Sequence, residues 1–400
     1  MAERLLVRAL KGGKNTKIVT LNGKKITKMP STLEKLPGLK TLDLQNNRIP
    51  KVCPEISTLT QLTSLNLGNN LLEEVPEEMK YLTSLKKLHL FGNRIHRFAS
   101  GACDGLQNLI LLSLNNNQLT WIPPEVSRLK SLTYLSINHN WLASIPRELC
   151  FLKNLSELQL NYNQLICIPE EIKFLKNLQK LFLVRNNIEV LPEGFCDLIN
   201  LRSLDIAGNV IQIFPSGFQN LKLREFYCEE NPLLMKQPVH AVKQEGVWRL
   251  QEITSRFIMN QLAEKNLFLM QAVEWYPQVR NIISQGRKCA ICGKSFLAVW
   301  LECVEFVPPS KNWKISRNLQ LVPLRILICS YKCFNQRGPN IFGIAQVESR
   351  RKSLSSLVGK PAAGTLGTFC RPQGSRSHED SDLQFGRDLE TPRPAIAYQD

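Results

Sequence analysis

Over more than half of the chain the apolar residues follow one repeated phrase: Leu-x-x-Leu-x-Leu-x-x-Asn-x-(Leu/Ile), a two-residue gap, an apolar residue, usually Pro, and two further apolar anchors. One copy runs Leu155, Leu158, Leu160, Asn163, Leu165, Ile168, Pro169, Ile172 and Leu175. Its first three leucines include the alternation of a short strand, which sends them inward and the residues between them to the opposite face. The Asn ends that strand, and its amide is suited to backbone groups that the turning chain leaves unpaired. Pro76, Pro123, Pro146, Pro169, Pro192 and Pro215 fix φ as the chain turns along the outer face.

The Asn recurs at Asn47, Asn70, Asn93, Asn117, Asn140, Asn163, Asn186, Asn209 and Asn231, at spacings of 23, 23, 24, 23, 23, 23, 23 and 22. One such unit cannot close a core, so the units must stack. The phrase resembles the leucine-rich repeat superfamily, in its intracellular 23-residue class. The resemblance implies an α/β solenoid with a curved parallel sheet on its concave side, and a scaffold rather than an enzyme. The cysteine-flanked end caps frequent in secreted members are missing. Further along, Ile253–Phe257, Cys289-Ala-Ile-Cys292 and Trp300–Cys303 resemble one particular branch of that class.

Breaks in the phrase predict the domain plan. Residues 1–15 read as a basic arm, and residues 16–240 as the repeat domain, a degenerate cap with Lys24 in the Asn slot followed by nine repeats. The third repeat has Ala99 in the Pro slot and one extra residue in Ser100–Gly105, which predicts a longer outer turn. Residues 241–288 read as a helical C-terminal cap, with Val247, Leu250, Thr254, Phe257, Ile258 and Leu262 on the face that would lie on the last repeat. Residues 289–346 read as a small strand-rich, Cys-rich module, and 347–400, rich in Ser, Gly, Pro and charge, as a disordered tail.

Charge sharpens this plan. The chain carries a net +17, with +7 in residues 1–28, +1 in residues 29–240 and +8 in residues 241–346. A balanced repeat array argues against a phosphate-binding trough, while basic ends leave nucleic acid or an anionic surface as an alternative partner. No apolar run approaches the length of a membrane span, and Leu5–Val7 is too short for a secretory core. Twelve cysteines without a leader suggest a reducing compartment, hence a cytoplasmic location. Nothing in the pattern calls for more than a monomer.

Two groups of residues are candidates for chemistry. The concave positions that packing leaves free include His89, Phe91, Tyr134, His139, Tyr162 and Phe182, read as an aromatic binding stripe for a protein partner. Cys289-x-x-Cys292-Gly and Cys329-x-x-x-Cys333 could converge on one structural zinc ion in a closed tetrahedral site, the one cofactor the sequence suggests. A catalytic reading finds little: Gly12-Gly13-Lys14 lacks the spacing of a phosphate loop, and no concave Cys accompanies His89 or His139.

Overall fold

In the computed structural model the described residues are 2–235, 249–297, 301–315, 319–336 and 342–347. The expected tail after Val347 lies outside them. Ten three-residue strands, from Ile18–Thr20 to Glu225–Tyr227, form one parallel sheet in strict chain order. The register is unbroken: Leu42 pairs with Leu65, Leu65 with Leu88, and Leu88 with Leu112. At about 4.8 Å per strand the sheet is about 43 Å long. Every central strand residue, from Val19 through Leu158 to Phe226, is buried.

The ladder Asn residues work as the turn requires. Asn163 Nδ2 donates to the carbonyls of Ile137, Leu160 and Asn161 at 2.9, 3.1 and 3.3 Å, and its Oδ1 accepts the N–H of Leu142 at 3.1 Å. Bonds cross from each repeat to the one before, so the Asn side chains are staples between repeats as well as strand ends. The residue before each ladder Asn takes the left-handed conformation, with φ between 52° and 57° at Asn46, Asn69, Asn116, His139, Tyr162, Arg185 and Glu230. On the outer side five-residue 3-10 segments follow the Pro slot, as at Glu170–Phe174 after Pro169.

The third repeat keeps a five-residue outer segment, Ser100–Asp104, and its outer turn is longer by the one residue that follows. Its extra residue is Gly105, pressed against the preceding repeat so closely that a Cβ would fall 1.5 Å from the Lys80 carbonyl oxygen. Gly105→Ala should therefore push two repeats apart and cost about 3 kcal/mol. Denaturant unfolding would read it, and a cost below about 0.5 kcal/mol would show that the backbone yields freely.

Both ends of the array are covered differently from the sequence expectation. The basic N-terminal arm contains a helix, α1 (Ala2–Gly12), that lays Leu6, Ala9 and Leu10 on the first repeat and turns Arg4, Arg8 and Lys11 outward. At the other end the core turns aromatic, with Phe195, Phe214, Phe218 and Phe226 buried. Trp313 closes on it, edge-on to Phe218 at 5.8 Å and to Phe226 at 5.3 Å, together with buried Val322 and Leu324. Backbone bonds fix this cover: Phe214 N–H donates to Pro323 at 2.9 Å, Arg325 N–H to Phe214 at 2.8 Å, and Phe226 N–H to Lys314 at 3.0 Å.

The helix expected as that cover lies elsewhere. Helix α2 (Leu250–Ala263) buries Glu252, Ser255, Arg256 and Met259, while Leu250 and Phe257 of the anticipated face are exposed. Its contacts are with the Cys-rich module: Asn260 Oδ1 accepts the Ser295 N–H at 2.9 Å and Arg256 Nη1 donates to the Cys329 carbonyl at 2.9 Å. Two short helices follow, α3 (Leu267–Trp275) and α4 (Pro277–Ile283), with Pro277 opening the latter. Beyond them strands Leu301–Val307 and Val322–Ile328 pair antiparallel, and Phe342–Val347 adds to the first. Helix α5 (Tyr331–Gln336) completes the module.

Candidate functional site

The concave wall is built from the residues that alternate with the buried strand leucines. Register places Lys87, Leu111, Tyr134, Glu157 and Lys180 side by side, and His89, Ser113, Ser136, Gln159 and Phe182 in the next row. His139 and Tyr162 stand just past the strands, on the left-handed turn residues. The anticipated aromatic stripe is therefore not one row. Phe91 sets the tip of its ring over Gly68, where a Cβ would meet it at 2.5 Å, and meets His89 edge-on at 6.4 Å. His139 and Tyr162 stack at 4.3 Å with their planes 10° apart, and Tyr162 is 45% exposed. Tyr134 and Phe182 sit half-buried in different rows. Burial, and then the Lys87 charge, lower the pKa of His89, which favours its neutral form.

Between these rings runs a strip of uncharged amides, which the pattern of aromatic residues does not mark. Asn115, Asn138 and Asn161 each accept, through Oδ1, the backbone N–H two places before the next ladder Asn: Asn138 at 2.7 Å, Asn161 at 2.8 Å and Val184 at 2.8 Å. Ser136 Oγ donates to Asn115 Oδ1 at 2.7 Å with Gln159 Oε1 3.0 Å away as its alternative acceptor, and Asn138 Nδ2 donates to Gln159 at 2.9 Å. The sequence does carry the signal, an Asn two places before the ladder Asn in three successive repeats.

The second constellation lies in the C-terminal module. Cys289 and Cys292 flank a tight turn in which Gly293 has φ +72°, with its N–H donating to the Cys289 carbonyl at 3.0 Å. Cys329 follows the Val322–Ile328 strand and Cys333 is on α5. The four sulfurs all lie within 4.8 Å of one another. Cys292 and Cys329 are 3.5 Å apart, and Cys329 and Cys333 3.6 Å. Zinc–sulfur bonds of about 2.3 Å in a tetrahedron put sulfurs about 3.8 Å apart, so these thiols are placed closely enough to hold a metal ion. Cys303 is buried in the same small core but is not one of the four.

The electrostatics separate this cluster from the other cysteines. Burial raises the Cys53 thiol to about 11, and those of Cys103, Cys150, Cys196 and Cys228 to about 12. Burial also acts on Cys289, but hydrogen bonds from the Cys292, Cys329 and Ile291 backbone and from the Cys292 side chain outweigh it and bring the thiol down to about 7. Cys329 is pushed up by burial first, then by its bonds with Cys292 and Cys333 and the Cys289 charge. Cys333 is pushed up by burial first, then by Cys292 and the Cys289 charge, against lowering bonds from Ser330 and Cys329. A dication held at the cluster would favour the thiolate form of its ligands.

Behind the cluster a buried ion pair joins Arg256 Nε to Glu252 Oε1 at 2.5 Å. Glu252 Oε1 also accepts the Leu297 N–H at 3.1 Å, and the Arg256 guanidinium lies over the Phe296 ring. Among the described residues no helix is long and apolar enough to cross a membrane.

Comparison with known proteins agrees with this architecture. The leucine rich repeat model matches in five overlapping stretches, 37–95, 83–142, 107–165, 130–188 and 176–233. The chain is 79% identical over 347 residues to leucine-rich repeat-containing protein 69 of Homo sapiens, covering 87% of this chain and 100% of that protein. It is 69% identical to the protein of the same name in Mus musculus, covering 86% and 100%. Among solved structures, a leucine-rich repeat protein of Leptospira interrogans superposes with a TM-score of 0.54 at 35% identity, over 55% of this chain and 56% of that one. A sheet that grows one strand per Asn-marked repeat, with identities of 79% and 69% over the full length of these two relatives, places the chain in the leucine-rich repeat proteins, in the family of leucine-rich repeat-containing protein 69.

Proposed function

We propose that the chain is a non-catalytic scaffold that binds a protein partner on its concave face, in keeping with the interaction role typical of leucine-rich repeat proteins. The observation that carries the reading is the exposed His139–Tyr162 stack beside the Asn115–Asn138–Asn161 strip. Both offer stacking and polar contacts already held in place, which lowers the entropy cost of binding. Phe91, Tyr134, Phe182 and His89 flank them as secondary contacts. The array cysteines support the non-catalytic reading, since thiols held at about 11 to 12 are poor nucleophiles at neutral pH.

Replacing His139 and Tyr162 together by Ala should abolish capture of the partner while leaving the circular dichroism and melting temperature close to those of the parent. Quantitative affinity capture with parent and variant side by side measures this. Equal recovery of the same proteins by both would place the binding surface elsewhere.

The same reading includes one structural zinc ion at Cys289, Cys292, Cys329 and Cys333, supported by the convergence of four thiols within 4.8 Å of one another. Metal content of the purified chain, with and without Cys292→Ser, tests it.

A further inference from the structure

We infer that metal at the four-thiol cluster controls how firmly the end of the repeat array is closed. The inference rests on the zinc reading above and adds what the ion would do. Its basis is a single strand that serves two cores. In Val322–Ile328, Val322 and Leu324 belong to the array core beside Phe214 and Phe226, whereas Ile326, Leu327 and Ile328 belong to the core of the Cys-rich module. At about 3.3 Å per residue, Pro323, which accepts from Phe214, and Cys329, which would hold the ion, are about 20 Å apart on one element.

The module's own core is small: Cys289, Phe296, Leu301, Cys303, Ile326–Cys329, Cys333 and Phe334. A core of that size rarely holds a fold without a staple, and three of the candidate ligands are part of it. Ion binding would then appear as folding free energy of the module. That free energy reaches the array through the shared strand, and it reaches α2 through the Arg256 bond to the Cys329 carbonyl. The array has a corresponding need, because Phe214, Phe218 and Phe226 are aromatic rings at the last repeat with no further repeat to lie against them.

When the ion leaves, the module loosens and the strand's hold on Phe214 weakens. The Phe226 N–H and Arg224 carbonyl, now engaged by Lys314, then become available at the edge of the concave sheet. The latch is thus a route by which metal supply sets whether the sheet ends at Glu225–Tyr227 or can accept a further strand.

Hydrogen exchange of the full-length chain tests this, with zinc bound, after chelation, and after zinc is restored. Chelation should speed exchange in peptides covering 214–228 and 319–328 by at least about tenfold and leave peptides covering 41–160 unchanged, with recovery on re-addition. One equivalent of zinc bound with no change at 214–228 would overturn the latch and leave the zinc reading standing. Failure to take up zinc in the purified or reconstituted chain would overturn the zinc reading itself. Because the parent chain supplies every state, the test does not depend on a Cys variant folding; Cys333→Ser, where it folds, should exchange at 214–228 like the chelated parent.

Discussion

Asn163→Leu should destabilise the repeat array by about 3 to 4 kcal/mol, more than a cavity-free substitution of similar volume would. The Leu142 N–H loses its acceptor inside the core. The Ile137 and Leu160 carbonyls each lose one of two amide donors, since Asn140 and Asn186 also donate to them. An orphaned buried N–H alone costs about 1 to 3 kcal/mol, and the two weakened carbonyls supply the remainder. Asn163→Asp should be no milder, because a carboxylate keeps the acceptor but turns its charge toward those carbonyls. Denaturant melts of both variants measure the effect. The break falls mid-array, so a broadened or two-step transition should accompany the loss, as expected where neighbouring repeats supply each other's stability. A loss below about 1 kcal/mol would mean that the Asn ladder contributes little to stacking.

Arg256→Ala should cost about 3 to 5 kcal/mol in the C-terminal module, because it removes the guanidinium facing a buried carboxylate. The same change deletes the bond to the Cys329 carbonyl and the packing over Phe296. The double variant Arg256→Met with Glu252→Leu removes both charges and should recover most of the loss, since replacing a buried pair by apolar side chains is often neutral. Hydrogen exchange of peptides covering 289–297 and 322–334 would report the module rather than the whole chain. If the single variant were as stable as the parent, the ion pair would not be the organising contact between α2 and the cysteine module. If the double variant were no better than the single, charge burial would not be the cause.

How much of this was legible beforehand depends on the distance over which each feature is decided. The strand leucines, the Asn ladder and the Pro slot are local, and their 23-residue spacing already implied a ten-step parallel sheet once the degenerate first unit is included. The Cys pairs were visible as pairs, but 37 positions separate Cys292 from Cys329, and only folding brings their sulfurs to 3.5 Å. The concave aromatics lie outside the core but not in one row. Rows on a solenoid are set by offset from the ladder Asn, and Phe91, Tyr134, Tyr162 and Phe182 have four different offsets.

The reading of α2 shows the limit most clearly. Periodicity selects the most apolar face of a helix as the buried one, on the assumption that burial is driven by transfer of hydrocarbon from water. Here the buried face holds Glu252, Ser255 and Arg256, whose polar groups meet the module's backbone and each other. No one-dimensional pattern announces such a face, because its partners lie at Leu297 and Cys329.

By itself, the order of residues determined that this protein stacks, how many times, and which side chains line the inner wall, because each repeat contacts only its neighbours and its rules are written within 23 residues. What closes the two ends, which residues of α2 turn inward, and which thiols meet were decided by tertiary structure, because those contacts join segments whose separation in the chain obeys no period.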